Sequence, residues 1–351
     1  MALDLALQQR GRVNILIAGR TGVGKSTLIN AVFQGNLATT GQGRPVTQHT
    51  REVTKEGVPV SIFDTRGLEL ADFAATFEEL DRFIVDRRRN ADPQQHIHIA
   101  WVCIAEDLRR VESAESDLVA RLSRLGVPVI GVITKTRSDK GFRATVQQLL
   151  PAARNVVSVR AIQEELDDGP ILPPKGLYDL VNLTMEIVPE GHRNAFVAGQ
   201  KIDVELKQRR AHEIVVGVAL AAATAGMTPI PFADAIILIP IQIGMLASIT
   251  AVFGVPLSQG FLTTLIASGA TSVGATFTGR TIVAELLKLI PGAGSTAGAA
   301  VSAVTAGMLT TAFGEAYIAA LVLLFQRGNG EPPTEEAIIT AFKAQLARRG
   351  S

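Results

Sequence analysis

Apolar positions in the first half of the chain switch repeatedly between strand-like and helix-like spacing. Val13 to Ala18 is an apolar run of the kind a fully buried parallel strand needs, and Lys25 to Phe33 continues with helical spacing. Arg51 to Glu56 and Val58 to Asp64 read as an antiparallel pair turned at Gly57. Helical spacing returns at Phe77 to Arg89, Glu112 to Leu125 and Phe142 to Ala152. Further strands are expected at Ile97 to Ile104, Val127 to Thr134 and Asn155 to Val159, before a closing helix at Leu177 to Val188. This alternation predicts a doubly wound α/β domain, in which ligands belong at the carboxyl ends of the strands.

The pattern then changes. Ile214 to Ala233, Ala235 to Gly279 and Leu289 to Gly314 carry no charged residue, whereas charges occur at ordinary density before Glu213. A Pro-Glu-Gly step at Pro189 to Gly191 follows an apolar helix and marks the expected boundary. The organisation read from these shifts is an α/β domain over 1–190, an all-α apolar helical domain over 191–326, and a polar tail with a short helix over 327–351. The 351 residues suffice for two cores. A net charge of +1 gives no electrostatic reason to expect nucleic acid. Met1 to Arg12 lacks the apolar core of a signal peptide, so the first domain is expected in the cytoplasm. The single cysteine, Cys103, sits in an apolar run and reads as a buried, inert thiol. His96 and His98 alternate along one expected strand and read as one face of a sheet edge, and the five histidines form no metal-ligand cluster.

Three elements carry chemistry. Gly19-Arg20-Thr21-Gly22-Val23-Gly24-Lys25-Ser26, with Thr27 after it, fits G-x-x-x-x-G-K-[ST] between a strand and a helix. Its glycines let the backbone wrap a phosphate, its exposed N–H groups hold the anion, Lys25 reaches the β- and γ-phosphates, and Ser26 ligates Mg²⁺. Asp64-Thr65-Arg66-Gly67 closes a buried strand: Asp64 is placed to hold the Mg²⁺ shell, and Gly67 to bring a backbone N–H to the γ-phosphate. Between them, Pro45 to Thr50 lies in a loop rich in Gly and Thr, where Thr47, or alternatively Thr50, would complete Mg²⁺ coordination only with a γ-phosphate present, making the loop a switch. Lys25, Thr47 and Gly67 are the expected catalytic contacts.

With these motifs the first half resembles the Era-like and septin-like branch of the GTPases, in particular its YeeP/YfjP-type members. The second half is similar to the YcjF-like domain of unknown function through Thr228 to Asp234 and Pro240 to Leu246. The resemblance implies binding of GTP and GDP and in-line attack of water on the γ-phosphate. Guanine selectivity in such proteins comes from [N/T]-K-x-D after a strand. Thr134 and Lys135 fit that pattern, but Arg137 occupies the aspartate position and Asp139 comes two residues later. A bulged loop that brings Asp139 to the base, a motif shifted to Thr136 to Asp139, and relaxed base selectivity all fit. Ser158 marks the strand end where backbone N–H groups would meet the base oxygen. Leu68 follows the D-x-x-G glycine where Ras-like enzymes carry a water-orienting glutamine, which predicts slow intrinsic turnover. Arg20 and Arg66 are the candidate arginine fingers, with ordinary salt bridges the competing reading. Gly22 replaces the asparagine of potassium-dependent relatives, so no potassium activation is expected.

The expected function is therefore a slow Mg²⁺-dependent GTPase switch coupled to an apolar helical domain that binds a membrane or a helical protein. A GTP-binding membrane scaffold with negligible hydrolysis, and a P-loop NTPase of relaxed base specificity, are the alternatives. Ile214 to Ala233, Ala235 to Phe253 and Ala297 to Phe325 approach the roughly twenty residues that cross a hydrocarbon core. Pro229, Pro231, Pro240 and the polar Gln242 stand against a simple span. Small residues such as Gly294, Gly298 and Ser302 permit close helix packing in membrane bundles and in soluble ones alike. Association with the cytoplasmic membrane and a soluble helical bundle or homo-oligomer core both remain open at this level.

Overall fold

The computed structural model describes residues 2–47, 49–65, 73–166, 169–225, 233–272 and 303–349. Its elements in chain order are α1 (Ala2–Arg10), β1 (Val13–Ala18), α2 (Lys25–Val32), α3 (Leu37–Thr40), β2 (Gln42–Pro45), β3 (Thr50–Lys55), β4 (Val58–Thr65), α4 (Phe73–Arg89), β5 (Ile99–Ala105), α5 (Ser113–Arg124), β6 (Val129–Thr134), α6 (Phe142–Leu149), β7 (Asn155–Ser158), β8 (Glu164–Glu165), β9 (Ile171–Leu172), α7 (Leu177–Ile187) and α8 (Glu190–Gly199). Five helices follow among the described residues: α9 (Val204–Ala225), α10 (Ala233–Phe253), α11 (Gln259–Ser272), α12 (Ala303–Arg327) and α13 (Glu335–Arg349). The chain forms two compact units, Gly11–Asp203 and Met1–Arg10 with Val204–Ser351.

The first unit is a seven-stranded sheet in the order β2-β3-β4-β1-β5-β6-β7. β4, β1, β5, β6 and β7 run parallel, while β2-β3 and β3-β4 are antiparallel. Every residue of β1, β5 and β6 is buried, because helices cover both faces, and this explains their mostly apolar character. Leu16, Ala18 and Phe63 face one core with Phe77, Ile84, Leu118 and Val146 of α4, α5 and α6. On the other face Phe33 stacks on Trp101 with ring centroids 5.8 Å apart, and the Trp101 indole N–H donates to Thr184 of α7 at 3.2 Å. α8 lies so close to β4 that a Cβ on Gly199 would meet the Val60 side chain at 2.3 Å.

Several expectations change here. The Gly- and Thr-rich stretch contains edge strand β2, which pairs with β3 through Gln42 and Thr54 at one end and Pro45 and Arg51 at the other. Pro45 ends that edge strand, a position where its missing N–H is tolerated. The Pro-Glu-Gly step opens α8, with Pro189 at its N-cap, and the compact unit runs on to Asp203. His96 and His98 precede β5, which lies centrally between β1 and β6, so they form no sheet-edge face. The reason is visible in the bonding: His98 accepts the Asn14 N–H on Nδ1 at 2.9 Å, and its ring lies against His192, with centroids 3.7 Å apart and the planes tilted by 31°. Cys103 is fully buried, and burial pushes its thiol up to about 12, as expected of an inert side chain.

The second unit is helical. Leu3 and Ala6 of α1 join Met245, Ile249, Phe253, Tyr317, Leu321 and Phe325 in one core. α13 belongs to that core through Ile338, Phe342 and Leu346, and Phe342 meets Phe313 edge-on at 5.1 Å. Among the described residues no helix is long and apolar enough to cross a membrane. Some polar groups inside the unit have internal partners: Lys207 donates to the Phe253 carbonyl at 3.1 Å, and the Thr250 and Tyr317 hydroxyls lie 2.9 Å apart. Gln242 is buried with its side-chain oxygen unbonded, as is the Thr310 hydroxyl. Residues 228–232, Gly294, Gly298 and Ser302 lie outside the described residues.

Candidate nucleotide site

The phosphate loop turns between β1 and α2. Gly19, Gly22 and Gly24 all take positive φ (145°, 79° and 95°), a region that side chains with a Cβ disfavour. At Gly19 space is limiting as well, because an added Cβ would lie 2.5 Å from the Cys103 carbonyl oxygen of β5. The Lys25 ammonium donates back to the Gly19 and Arg20 carbonyls at 2.7 and 3.1 Å, across the mouth of the loop. Thr21, Gly22, Ser26 and Thr27 are exposed, whereas Val23 is buried and anchors the turn. Arg20 pairs with Glu112 at 3.2 Å, and Glu112 also pairs with Arg110 at 2.7 Å.

Asp64 sits near the end of β4, opposite Ile17 in the parallel register with β1. Its neighbour Thr65 donates to the Ile17 carbonyl at 3.3 Å. Lys25 opens α2 after β1, and Asp64 stands near the end of the parallel neighbour β4, so both lie at the carboxyl ends of the sheet. Ser26 and Asp64 offer one hydroxyl and one carboxylate oxygen. That hard, sparse donor set suits Mg²⁺, which usually takes one or two protein oxygens plus phosphates and water. Among the described residues no group of three or more His, Cys, Asp or Glu side chains could hold a metal by itself.

Thr47 is engaged locally: its hydroxyl accepts the Thr50 N–H at 3.0 Å and the His49 N–H at 3.3 Å. Glu79 of α4 closes over the same turn, 2.7 Å from His49 Nδ1. Burial raises the Glu79 carboxyl, but hydrogen bonds from Thr47 and His49 outweigh it and hold the group below the usual carboxylate range. Arg66, Gly67 and Leu68 lie outside the described residues.

The third part of the site lies around β6. Thr134 is buried, and its hydroxyl donates to the Val23 carbonyl of the phosphate loop at 2.6 Å. Lys135 has φ 54° and pairs with Asp107 at 3.6 Å. Beside them opens a cavity of ≈ 380 Å³, lined by Gly24, Thr27, Thr134, Lys135, Arg137, Asp107 and the segment 159–164. Asp139 is not among the lining residues; its carboxylate accepts the Arg143 N–H at 2.8 Å and caps α6. Ser158 ends β7 with its hydroxyl buried, and the backbone that follows it forms the cavity wall.

Four positions around this cavity escaped sequence reasoning. Glu106, almost fully buried just past β5, accepts the Arg137 and Ser138 N–H groups at 2.6 and 3.0 Å. Arg160 donates to the Thr136 and Pro173 carbonyls at 2.9 and 2.6 Å. Glu164 of β8 pairs with Arg137, and Asp107 with Lys135. A charged residue immediately after an apolar strand, as at Glu106, was the one available signal.

Residues 14–135 match the family model of the 50S ribosome-binding GTPases, and residues 196–348 match that of a domain of unknown function, DUF697. The chain carries a P-loop GTPase domain joined to a C-terminal domain of unknown function. The resemblance read from the motifs holds at that level, and so does the fold class. Among curated relatives, the GTPase domain is similar to the tRNA modification GTPase MnmE of Paracidovorax citrulli, 33% identical over 155 residues, or 40% of this chain and 30% of that protein. It is 29% identical over 143 residues to the corresponding protein of Treponema denticola, covering 40% of this chain and 29% of that one. The chain thus spans about a third of the length of the curated relatives it matches. Among solved structures, a probable GTP-binding protein engB is 18% identical with a TM-score of 0.35, covering 50% of this chain and 98% of that one. Era of Aquifex aeolicus is 17% identical with a TM-score of 0.33, covering 60% of this chain and 67% of that one.

Proposed function

We propose that the chain binds GTP with Mg²⁺, hydrolyses it slowly to GDP and phosphate, and uses the nucleotide state to control what its helical half binds. The observation that carries this reading is the convergence of Lys25, Ser26 and Asp64 at the carboxyl ends of β1 and β4, beside a cavity able to take a base. The backbone N–H groups and glycines of the phosphate loop bind and orient the phosphates, and Lys25 exchanges its two carbonyl contacts for phosphate oxygens. Bound Mg²⁺ would neutralise charge on the phosphates, held by Ser26 and Asp64 with Thr47 added when the γ-phosphate is present. Gly67 would give its N–H to the γ-phosphate.

Slow turnover is supported by Leu68, which has no group to orient water where a glutamine serves in Ras-like enzymes. Arg20 is held by Glu112 and so is not free to serve as an arginine finger, a group worth about 10³–10⁵ in rate. The apolar character of the helical half supports a membrane surface or a helical protein as its partner, with a second copy of this chain as a third candidate.

Phosphate release from GTP under single-turnover conditions, with and without lipid vesicles, tests the reading against Lys25→Ala. Slow release that depends on Mg²⁺ and is abolished in the variant is the expected result. Tight GTP binding with no release under either condition would leave only the scaffold.

A further inference from the structure

The base motif has an arginine where its carboxylate should be, and the structure offers another carboxylate in the right place. We propose that Glu164, on the β8–β9 hairpin, supplies the acceptor that reads the donor edge of guanine, with Arg137 as its positioning residue. The inference rests on the GTP-binding reading above.

The cavity fixes where a base can go. It is bounded by Gly24 and Thr27 of the phosphate loop and α2 on one side, and by the loop after β6 and segment 159–164 on the other. A nucleotide whose phosphates lie on the loop would place its base here. Among the described lining residues the carboxylates are Asp107 and Glu164. Asp107 is paired with Lys135 and has a side chain 53% exposed, while the Glu164 side chain is 27% exposed. Asp139 lies off the cavity and caps α6, as described above.

The surroundings hold Glu164 in a set orientation. Arg137 Nε and Nη2 both donate to one of its oxygens, Oε1, the first at 2.8 Å. Glu106 fixes the Arg137 backbone from below, and Arg160 ties the start of the hairpin segment to the loop after β6. Guanine presents two adjacent donors, the ring N1–H and the 2-amino group, which a carboxylate can accept together. Adenine presents an unprotonated ring nitrogen at the same position, which a carboxylate repels. An ionised, arginine-oriented carboxylate therefore selects guanine by the same chemistry as the missing aspartate, from a different strand.

The test is competition binding of GDP, ADP and xanthosine diphosphate to the full chain with Mg²⁺, in wild type, Glu164→Gln and Asp139→Ala. Xanthine carries a carbonyl at C2 in place of the amino group, so the amide of Glu164→Gln can donate to it. The expected result is at least about tenfold weaker GDP binding by Glu164→Gln, together with a gain in xanthosine diphosphate binding. That gain cannot come from a misfolded protein. Retained GDP preference in Glu164→Gln, or loss of that preference in Asp139→Ala alone, would overturn the assignment. A wild-type chain that binds none of the three would instead remove the GTP-binding reading, and this inference with it.

Discussion

The Thr134 hydroxyl donates to the Val23 carbonyl at 2.6 Å, a buried bond that joins the loop after β6 to the phosphate loop. The same oxygen lies 3.3 Å from the Ile104 carbonyl, so one side chain ties together β5, β6 and the turn before α2. Thr134→Val keeps the shape and removes the donor, leaving a buried carbonyl unpaired at a cost of about 1–3 kcal/mol. A lower urea midpoint and faster GDP release are expected. An unchanged release rate, measured by stopped flow, would show that the two loops are not coupled through this bond.

Gly19 is the most constrained position of the phosphate loop. Its φ of 145° and the 2.5 Å approach of the Cys103 carbonyl leave no room for a Cβ. Gly19→Ala must therefore displace the loop or the strand beside it, at a cost of order 1–3 kcal/mol. Nucleotide affinity should fall far more than the far-ultraviolet circular dichroism signal. Gly22→Ala, where an added Cβ meets nothing within 4 Å, should be the milder variant in the same titration.

Thr47 and Glu79 form a local latch, since the Thr47 hydroxyl caps its own turn and Glu79 holds His49. Coordination of a metal by Thr47 requires that hydroxyl to leave the Thr50 and His49 N–H groups. Thr47→Ala should weaken Mg²⁺-GTP binding by about tenfold relative to GDP. Glu79→Ala should shift the ratio the other way, because it removes the carboxylate that holds His49 and with it the Thr47 turn. Isothermal titration with GDP and a non-hydrolysable GTP analogue measures both, and equal ratios in wild type and the two variants would count against the switch.

His98 sets a pH dependence with a definite sign. Burial, then the neighbouring His192, pulls its ring down to about 4, against the opposing Pro93 carbonyl. The folded state thus holds His98 neutral where the unfolded chain, titrating near 6.5, would be protonated. This contribution is complete above pH 6.5 and is lost as pH falls towards 4, by at most about 1.4 kcal/mol per pH unit. The His98 ring resonance should show no titration step between pH 8 and 5; a midpoint near 6.5 would refute the buried neutral ring.

The G domain was legible because its signals are local. A glycine pattern between an apolar strand and a helix names the phosphate loop, and strands buried on both faces are mostly apolar, as β1, β5 and β6 are apart from Asn14 and Thr134. Elements that depend on pairing were not legible. Edge strand β2 has the composition of a loop, and the two-residue strands β8 and β9 carry no period at all. α8 was hidden behind a Pro-Glu-Gly step that reads equally as a stop or as a helix start.

The sequence by itself determined where the glycine-rich loop and Asp64 stand, since Gly19 to Ser26 and Asp64 are fixed by spacing along one strand-loop-helix unit and a later strand end. The lining of the cavity beside that loop was decided by tertiary structure alone. Asp139 and Glu164 are both acidic residues after β6, and no spacing rule separates them. Only the folded chain turns Asp139 to the N-terminus of α6 and brings Glu164, on a hairpin beyond β7, against Arg137 at the cavity wall. The apolar composition of the C-terminal half likewise specified burial without specifying against what. Among the described residues, the packing of α1 and α13 with α9 to α12 buries apolar side chains of each helix within the unit itself.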